Sequence, residues 1–293
     1  MATRLYPYHG SQNNDRNSLK LKIDCKNRLN SNPETQDWLE LVSLFEHNST
    51  NVKVYRALLD KNKTIVAKIG KINLEPEYEV GKKLTLPNFI KFNCIFSCLD
   101  NYINIKSTTK SICKKEGAPI SIIIMPYISE KRIDLYKWER SNFNIMKNVM
   151  KHVCLSLFYS KKLLGFIHGD LHLGNILLKM TKRKEINYGE FGNLELLDLM
   201  PIIMDFDKST FVENYDSYVY QDISNFITLM SNNCNVKFEI ASLKSFLIKN
   251  ITSKSTVNSN SSSILCNYID NLEITYVSSE MPPLPDWLKP QKV

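Results

Sequence analysis

His168-Gly169-Asp170-Leu171-His172-Leu173-Gly174-Asn175 is the stretch that decides the reading of this chain. It gathers two imidazoles, a carboxylate and a carboxamide, with Phe166-Ile167 ahead of it and Ile176-Leu177-Leu178 behind it. Short aromatic and β-branched runs of this kind form strands. A loop pinned between two strands aims its polar groups into one place instead of scattering them over a surface. The two histidines bracket Asp170, but no HExxH helix pattern or third ligand accompanies them, so they do not compose a zinc set. Taken alone, Asp170 and Asn175 are also ordinary turn residues, and the rest of the chain has to decide between the two readings.

Upstream, Asn142 to Leu164 places Phe143, Met146, Val149, Met150, Val153, Leu157 and Leu164 at helical spacing, and Gly165 follows as a stop. Downstream comes a charged, hairpin-like insertion around Lys179–Asn193, then a strand that ends in Met200-Pro201-Ile202-Ile203-Met204-Asp205-Phe206-Asp207. Further on, Tyr220 to Met230 and Phe238 to Ile251 read as helices, Thr252 to Ser263 as a loop, and Pro282 to Pro290 as an extended tail. Toward the N-terminus, Leu39–Phe45, Val52–Leu59 and Thr64–Ile69 are three runs separated by turn-forming residues, which predicts antiparallel strands. Pro76 and Pro87 bound a short helix over Glu75–Leu86, and Phe92–Leu99 and Ile120–Ile128 add two strands.

The HGDxHxxN pattern at 168–175 resembles the catalytic loop of the protein-kinase-like superfamily, in the form seen in aminoglycoside and choline kinases and in divergent protein kinases. The other elements of that superfamily follow in chain order. Thr64-Ile65-Val66-Ala67-Lys68-Ile69 resembles the VAIK strand, Ile203-Met204-Asp205-Phe206-Asp207 resembles the DFG element with Asp in place of Gly, and Tyr220–Phe226 resembles the helix start whose Asp holds the catalytic loop. The resemblance implies an α+β, bilobal protein-kinase-like fold with a small β-rich N-lobe and a mainly helical C-lobe. The expected layout is a polar arm at 1–36, the N-lobe at 37–125, a hinge at 126–134, the C-lobe at 135–275 and a proline-rich tail at 276–293.

By the same resemblance, the chain is an ATP- and Mg²⁺-dependent phosphotransferase with its nucleotide between the lobes. Asp170 is implied as the base or orienter of the acceptor hydroxyl, and Lys68 as the amine that grips the α- and β-phosphates. Glu77 is implied as the partner of Lys68, with Glu79 the competing choice. Asn175 and Asp205 are implied as the metal ligands, and Asp222 as the scaffold under the loop. Ala67 and Leu177 would enclose the base, and Met125 and Tyr127, in the run Ile122–Tyr127, would gate and read it. His172 stands where many protein kinases carry a Lys beside the transferring phosphate. Three departures are visible: no glycine in the strand pair ahead of Lys68, a spacing of 30 positions from Asn175 to Asp205, and no APE motif after Asp207. The acceptor is expected to be a protein serine or threonine, as in poxvirus-type kinases. An amino-alcohol acceptor and a pseudokinase scaffold stay open beside it.

Composition bounds these readings. A chain of 293 residues with 38 Lys and Arg against 30 Asp and Glu carries a formal charge of +8, which favours anionic ligands without choosing among them. No nucleic-acid partner is called for. Seven cysteines without a CxxC pair, several of them in apolar runs, read as thiols in a reducing compartment. The N-terminus lacks an apolar signal core and no stretch is long enough to span a membrane, so a cytoplasmic location, or a virion if the chain is viral, is expected.

Overall fold

The computed structural model describes residues 38–45, 51–100, 112–113, 116–129, 131–233, 236–253 and 256–277. The expected arm at 1–36, the centre of the glycine-free turn at 46–50 and the stretch from Pro282 onward lie outside them. Two compact units are present, one ending at Asn73 and resuming over Phe92–Pro126, the other made of Leu74–Lys91 and the chain from Tyr127 onward. The first is a sheet and the second is mainly helical, which is the α+β class read from the sequence, with a β-rich part and a mainly helical part.

The sheet unit consists of β1 (Leu39–Leu44), β2 (Val52–Leu59), β3 (Lys63–Gly70), β4 (Cys94–Asp100) and β5 (Ala118–Pro126). Its order is β1-β2-β3-β5-β4 with every neighbouring pair antiparallel. Alternation sorts the side chains: Tyr55, Ala57 and Leu59 on β2, Ile65, Ala67 and Ile69 on β3, and Ile120, Ile122 and Ile124 on β5 join one apolar core with Trp38 and Phe96. The side chains between them, Lys68 included, take the other face.

The expectation that all the cysteines are thiols is corrected here. Cys98 on β4 and Cys113 are joined in a disulfide with a Cα–Cα distance of 5.5 Å. The argument from cysteine usage to a reducing compartment falls with it. Among the described residues, Cys154 and Cys266 remain thiols.

The helical unit opens with α1 (Glu75–Lys83), which has Pro76 in its first turn, acidic Glu75 and Glu77 at its positive end and Lys82 and Lys83 at its negative end. It stops three residues short of the expected Leu86. Leu84 turns extended, Leu84 and Leu86 are both buried, and Lys91 Nζ donates to the Leu84 carbonyl at 2.6 Å. Burial of these two leucines, which a further helical turn would point differently, ends the helix. α2 (Phe143–Leu164) is the central element, closed by Gly165 in the left-handed region at φ 74°. Gly165 is required twice over, because a Cβ there would sit 2.8 Å from the Val212 carbonyl oxygen.

After α2 come β6 (Phe166–Ile167), β7 (Ile176–Met180), β8 (Glu185–Asn187), β9 (Asn193–Glu195), β10 (Leu199–Ile203), β11 (Thr210–Phe211) and α3 (Ser217–Asn233). The charged insertion is the hairpin of β8 with β9, and it is docked. Its Tyr188 is fully buried, and the Tyr188 hydroxyl lies 2.7 Å from His152 Nδ1 on α2, whose Nε2 donates to the Glu195 carbonyl at 2.9 Å. Burial drops His152 to about 4, so the ring is neutral and this donor–acceptor chain is consistent.

Two expectations near the C-terminus are corrected. The chain read as a helix from Phe238 is first a strand, β12 (Val236–Phe238), followed by α4 (Ala241–Thr252). The stretch read as a loop to Ser263 contains the start of α5 (Ser259–Asp270), after which β13 (Ile274–Val277) pairs antiparallel with β12. Serine is a poor signal of a helix interior, but Asn258 caps the first turn by accepting from Ser261 N at 2.9 Å, and Leu265 and Ile269 are buried. No described helix is long and apolar enough to cross a membrane.

Candidate active site

Two very short ladders build the site in the helical unit. β7 pairs antiparallel with β10, Ile176 opposite Ile203, so Asn175 at the start of one strand and Met204-Asp205 at the end of the other meet at the same place. The Met204 N–H donates to the Asn175 carbonyl at 3.0 Å and extends the ladder by one rung. Antiparallel pairing makes this meeting independent of the length of chain between the strands, which is why the surplus residues between Asn175 and Asp205 are accommodated as a separate hairpin. The second ladder pairs β6 with β11, Ile167 opposite Thr210. The loop 168–175 and the segment 204–209 are thus each clamped at both ends and face one another.

Polar ties then fix the two segments. Asp222 on α3 accepts from His168 N at 2.9 Å and from Gly169 N at 3.2 Å. Its carboxyl is pushed up to about 6, because burial outweighs the pull of those two donors and the nearby Asp170 charge adds to the rise. His168 is fully buried, and its Nε2 donates to the Met204 carbonyl at 3.1 Å while Nδ1 faces the Asp170 N–H at 3.4 Å. Burial lowers its pKa against the opposing effects of that hydrogen bond and of Asp205 and Asp170, so the ring stays neutral in this tautomer. Ser209 Oγ donates to the His168 carbonyl at 2.8 Å. Phe206 is buried against Phe89, Phe166 and the His168 ring. Between Met204 and Phe206, Asp205 is held at φ 67°. An L-residue other than glycine in this region needs its surroundings to hold it there, and such residues concentrate at functional sites.

Asn175 is tied to Asp170 through the latter's backbone. Asn175 Nδ2 donates to the Asp170 backbone carbonyl at 3.1 Å, which leaves the amide oxygen as the end that can serve a ligand. Asp205 follows Met204, whose N–H is bonded to the Asn175 carbonyl, so a carboxylate and an amide oxygen are carried on adjoining backbone. That donor set fits Mg²⁺, which is characteristically held by one or two carboxylates or amide oxygens and completed by phosphate and water. His172 does something sequence reasoning did not anticipate: its Nδ1 accepts from Gly174 N at 3.1 Å and caps the turn at Leu173–Asn175. The same reasoning passed over Lys208, whose Nζ donates to Asp170 Oδ2 at 2.7 Å. Its one signal in the sequence was an unmatched cation directly after the Asp205-Phe206-Asp207 element. Leu177, on β7 opposite Ile202, is half-buried, and Tyr127 begins the chain's return to the helical unit.

In the sheet unit, Lys68 lies between Val54 on β2 and Ile123 on β5 and is 7% exposed. Met125 is paired with Val66, two residues along on the same face. Ala67 is a correction: it is fully buried in the apolar core, on the face opposite Lys68, so the two cannot line one site. Val66, half-buried, is the neighbour that shares the face of Lys68. On α1 the two candidate glutamates differ in exposure. Glu79 is exposed and paired with Lys82 at 3.3 Å, whereas Glu77 is 4% exposed.

No protein-family model matches the chain. A stretch of 113 residues, 37% of the chain, is 32% identical to serine/threonine-protein kinase haspin of Bos taurus, and 111 residues are 31% identical to the haspin of Mus musculus. These matches cover 14% and 15% of the two relatives, so the chain spans a small fraction of their length. Among solved structures, the autoinhibited serine kinase domain of the giant muscle protein titin aligns over 81% of this chain and 74% of that one, with a TM-score of 0.48 and 12% identity.

Proposed function

We propose that this chain is an ATP- and Mg²⁺-dependent phosphotransferase of the protein-kinase type that phosphorylates serine or threonine hydroxyls of a protein substrate. The observation that carries the reading is the pair of facing, clamped segments that set Asp170, Asn175 and Asp205 together on a base of Asp222 and His168. The serine/threonine acceptor rests on the named activity of the haspin relatives.

Asp170 accepts the proton of the acceptor hydroxyl as its oxygen forms a bond to the γ-phosphorus. The bond from that phosphorus to the β,γ-bridging oxygen breaks, and the electron pair leaves with ADP. Asn175 and Asp205 would hold a magnesium ion, which would supply charge neutralisation on the phosphate oxygens. In the sheet unit, Lys68 is the amine proposed for the α- and β-phosphates. On the face of Lys68, Val66 takes the place first assigned to Ala67, with Met125 paired beside it. His172 shapes the loop.

Incubation with labelled ATP and Mg²⁺, in the presence of a basic protein, an acidic protein and a panel of amino-alcohols, tests the reading. Label is expected on protein serine or threonine, and Asp170→Asn is expected to lower kcat by about 10² to 10⁴-fold. Stabilisation of the variant against heat by Mg-ATP should stay close to that of the wild type. Label only on an amino-alcohol would reassign the acceptor. No transfer to any acceptor, with no magnesium-dependent stabilisation by ATP, would reduce the chain to a scaffold.

A further inference from the structure

We infer that Lys208 is the cation of this phosphoryl-transfer site, supplied from the segment after β10 because the loop that carries Asp170 has none. This rests on the proposed function. The loop offers two imidazoles and no ammonium: His168 is buried and neutral, and His172 folds back to cap its own turn. Lys208 comes from the facing segment and places Nζ 2.7 Å from Asp170 Oδ2.

An exposed lysine–aspartate pair is ordinarily worth little, because two long side chains must be ordered for a screened attraction. Lys208 differs in how its backbone is held. Gly169, at φ 77°, lets the Lys208 carbonyl approach so closely that a Cβ at 169 would lie 2.6 Å from its oxygen. Ser209 is tied to the His168 carbonyl, and the Thr210–Ile167 rung follows immediately. The lysine therefore starts from a fixed point beside the loop, and only its alkyl stem remains to be ordered. The carboxylates around it, Asp170 first and then Asp207 and Asp205, raise its pKa and keep it charged.

In the resting arrangement the ammonium neutralises Asp170 and orients it. When the hydroxyl proton reaches Asp170, that carboxyl becomes neutral and releases Nζ to the negative charge of the transferring phosphoryl. The lysine is neither consumed nor deprotonated. As a positioning and charge-balancing group it acts on turnover and not on nucleotide affinity.

The test uses the full chain and a protein acceptor that the wild type labels. Lys208→Met, which keeps the alkyl stem, should lower kcat by about 30-fold with KM for ATP within about threefold of wild type. Lys208→Arg should retain most of the activity. Adding His172→Lys to Lys208→Met should recover at least about tenfold, because it returns an ammonium to the loop from the other side. Thermal unfolding and Mg-ATP stabilisation of Lys208→Met should match wild type, since the side chain is mostly exposed. Activity of Lys208→Met equal to or above wild type overturns the inference, the second result meaning that the lysine blocks the base. A loss that neither Lys208→Arg nor His172→Lys restores overturns it as well. A wild type that labels no acceptor is the separate failure of the proposed function.

Discussion

The sheet unit and the facing segments of the helical unit hold their candidate functional residues by opposite means. Lys68 is placed by an antiparallel ladder: strand periodicity alone puts it on one face while Ile65, Ala67 and Ile69 bury the other. Any apolar set with the same alternation would place it as well. Asp170, Asn175 and Asp205 sit in chain that is not regular, and their positions depend on individual polar groups from far away in sequence: Asp222 under the loop, His168 across to Met204, Ser209 back to His168. Position in the first case is a property of a pattern, and in the second of particular atoms. Substitutions should therefore be absorbed in the sheet and felt out of proportion in the facing segments.

The sharpest way to break that contrast is Gly169→Ala. The new methyl meets a backbone oxygen at 2.6 Å, and the residue must hold a positive φ. A loss of about 3–4 kcal/mol in urea unfolding is expected, with activity falling further than the lost stability explains. A loss under about 1 kcal/mol would show that the segments are less tightly opposed than the structure has them. A strong single tie in the sheet unit is the Cys98–Cys113 disulfide. It closes a 15-residue separation over the β4–β5 connection, so Cys113→Ser should cost about 3 kcal/mol by the loop-entropy account. It should leave KM for ATP unchanged, because neither cysteine shares the face of Lys68. A change in KM as large as the change in stability would erase the distinction between the two regions.

The same contrast explains what could be read in advance. All five strands of the sheet and the helix α2 follow from hydrophobic period and turn residues, to within a residue or two. The conjunction of Asp170, Asn175 and Asp205 was legible only as a motif in chain order, because antiparallel pairing of β7 with β10 leaves no local trace. Ala67 was misassigned for a physical reason visible in hindsight: it is adjacent to Lys68, and adjacent strand residues face opposite ways. α5 escaped because its first turn, Ser259–Ser262, owes its helicity to the Asn258 cap and to tertiary burial of Leu265 and Ile269. β13 escaped because it pairs with β12 across two helices. The pairing of Lys208 with Asp170 is a meeting of side chains 38 residues apart, and no local pattern announces it.

Asp222 offers the finest test of position by particular atoms, because its two duties respond to pH in opposite directions. In the unfolded chain its carboxyl titrates near ~3.9, and in the folded protein it is pushed up to about 6. Between these values the folded state holds a proton that the unfolded state has lost. The stability contributed at this position is thus full below pH ~4 and is lost as the pH rises through 6. Against Asp222→Asn, which does not titrate, the wild type should lose about 1.5 kcal/mol of relative stability between pH 4.5 and pH 6, the slope approaching ~1.4 kcal/mol per pH unit in mid-interval. Activity should move the other way. Ionisation restores both carboxylate oxygens as acceptors for the His168 and Gly169 N–H groups, so the ratio of wild-type to variant kcat should rise over the same interval. Denaturant unfolding and steady-state rates, taken at each pH on both proteins, separate the two curves. If the stability gap is flat from pH 4.5 to pH 7, Asp222 is ionised throughout and burial does not dominate at this site. If stability and activity instead rise together, the loop is held by packing, and the carboxylate is not the atom on which its position depends.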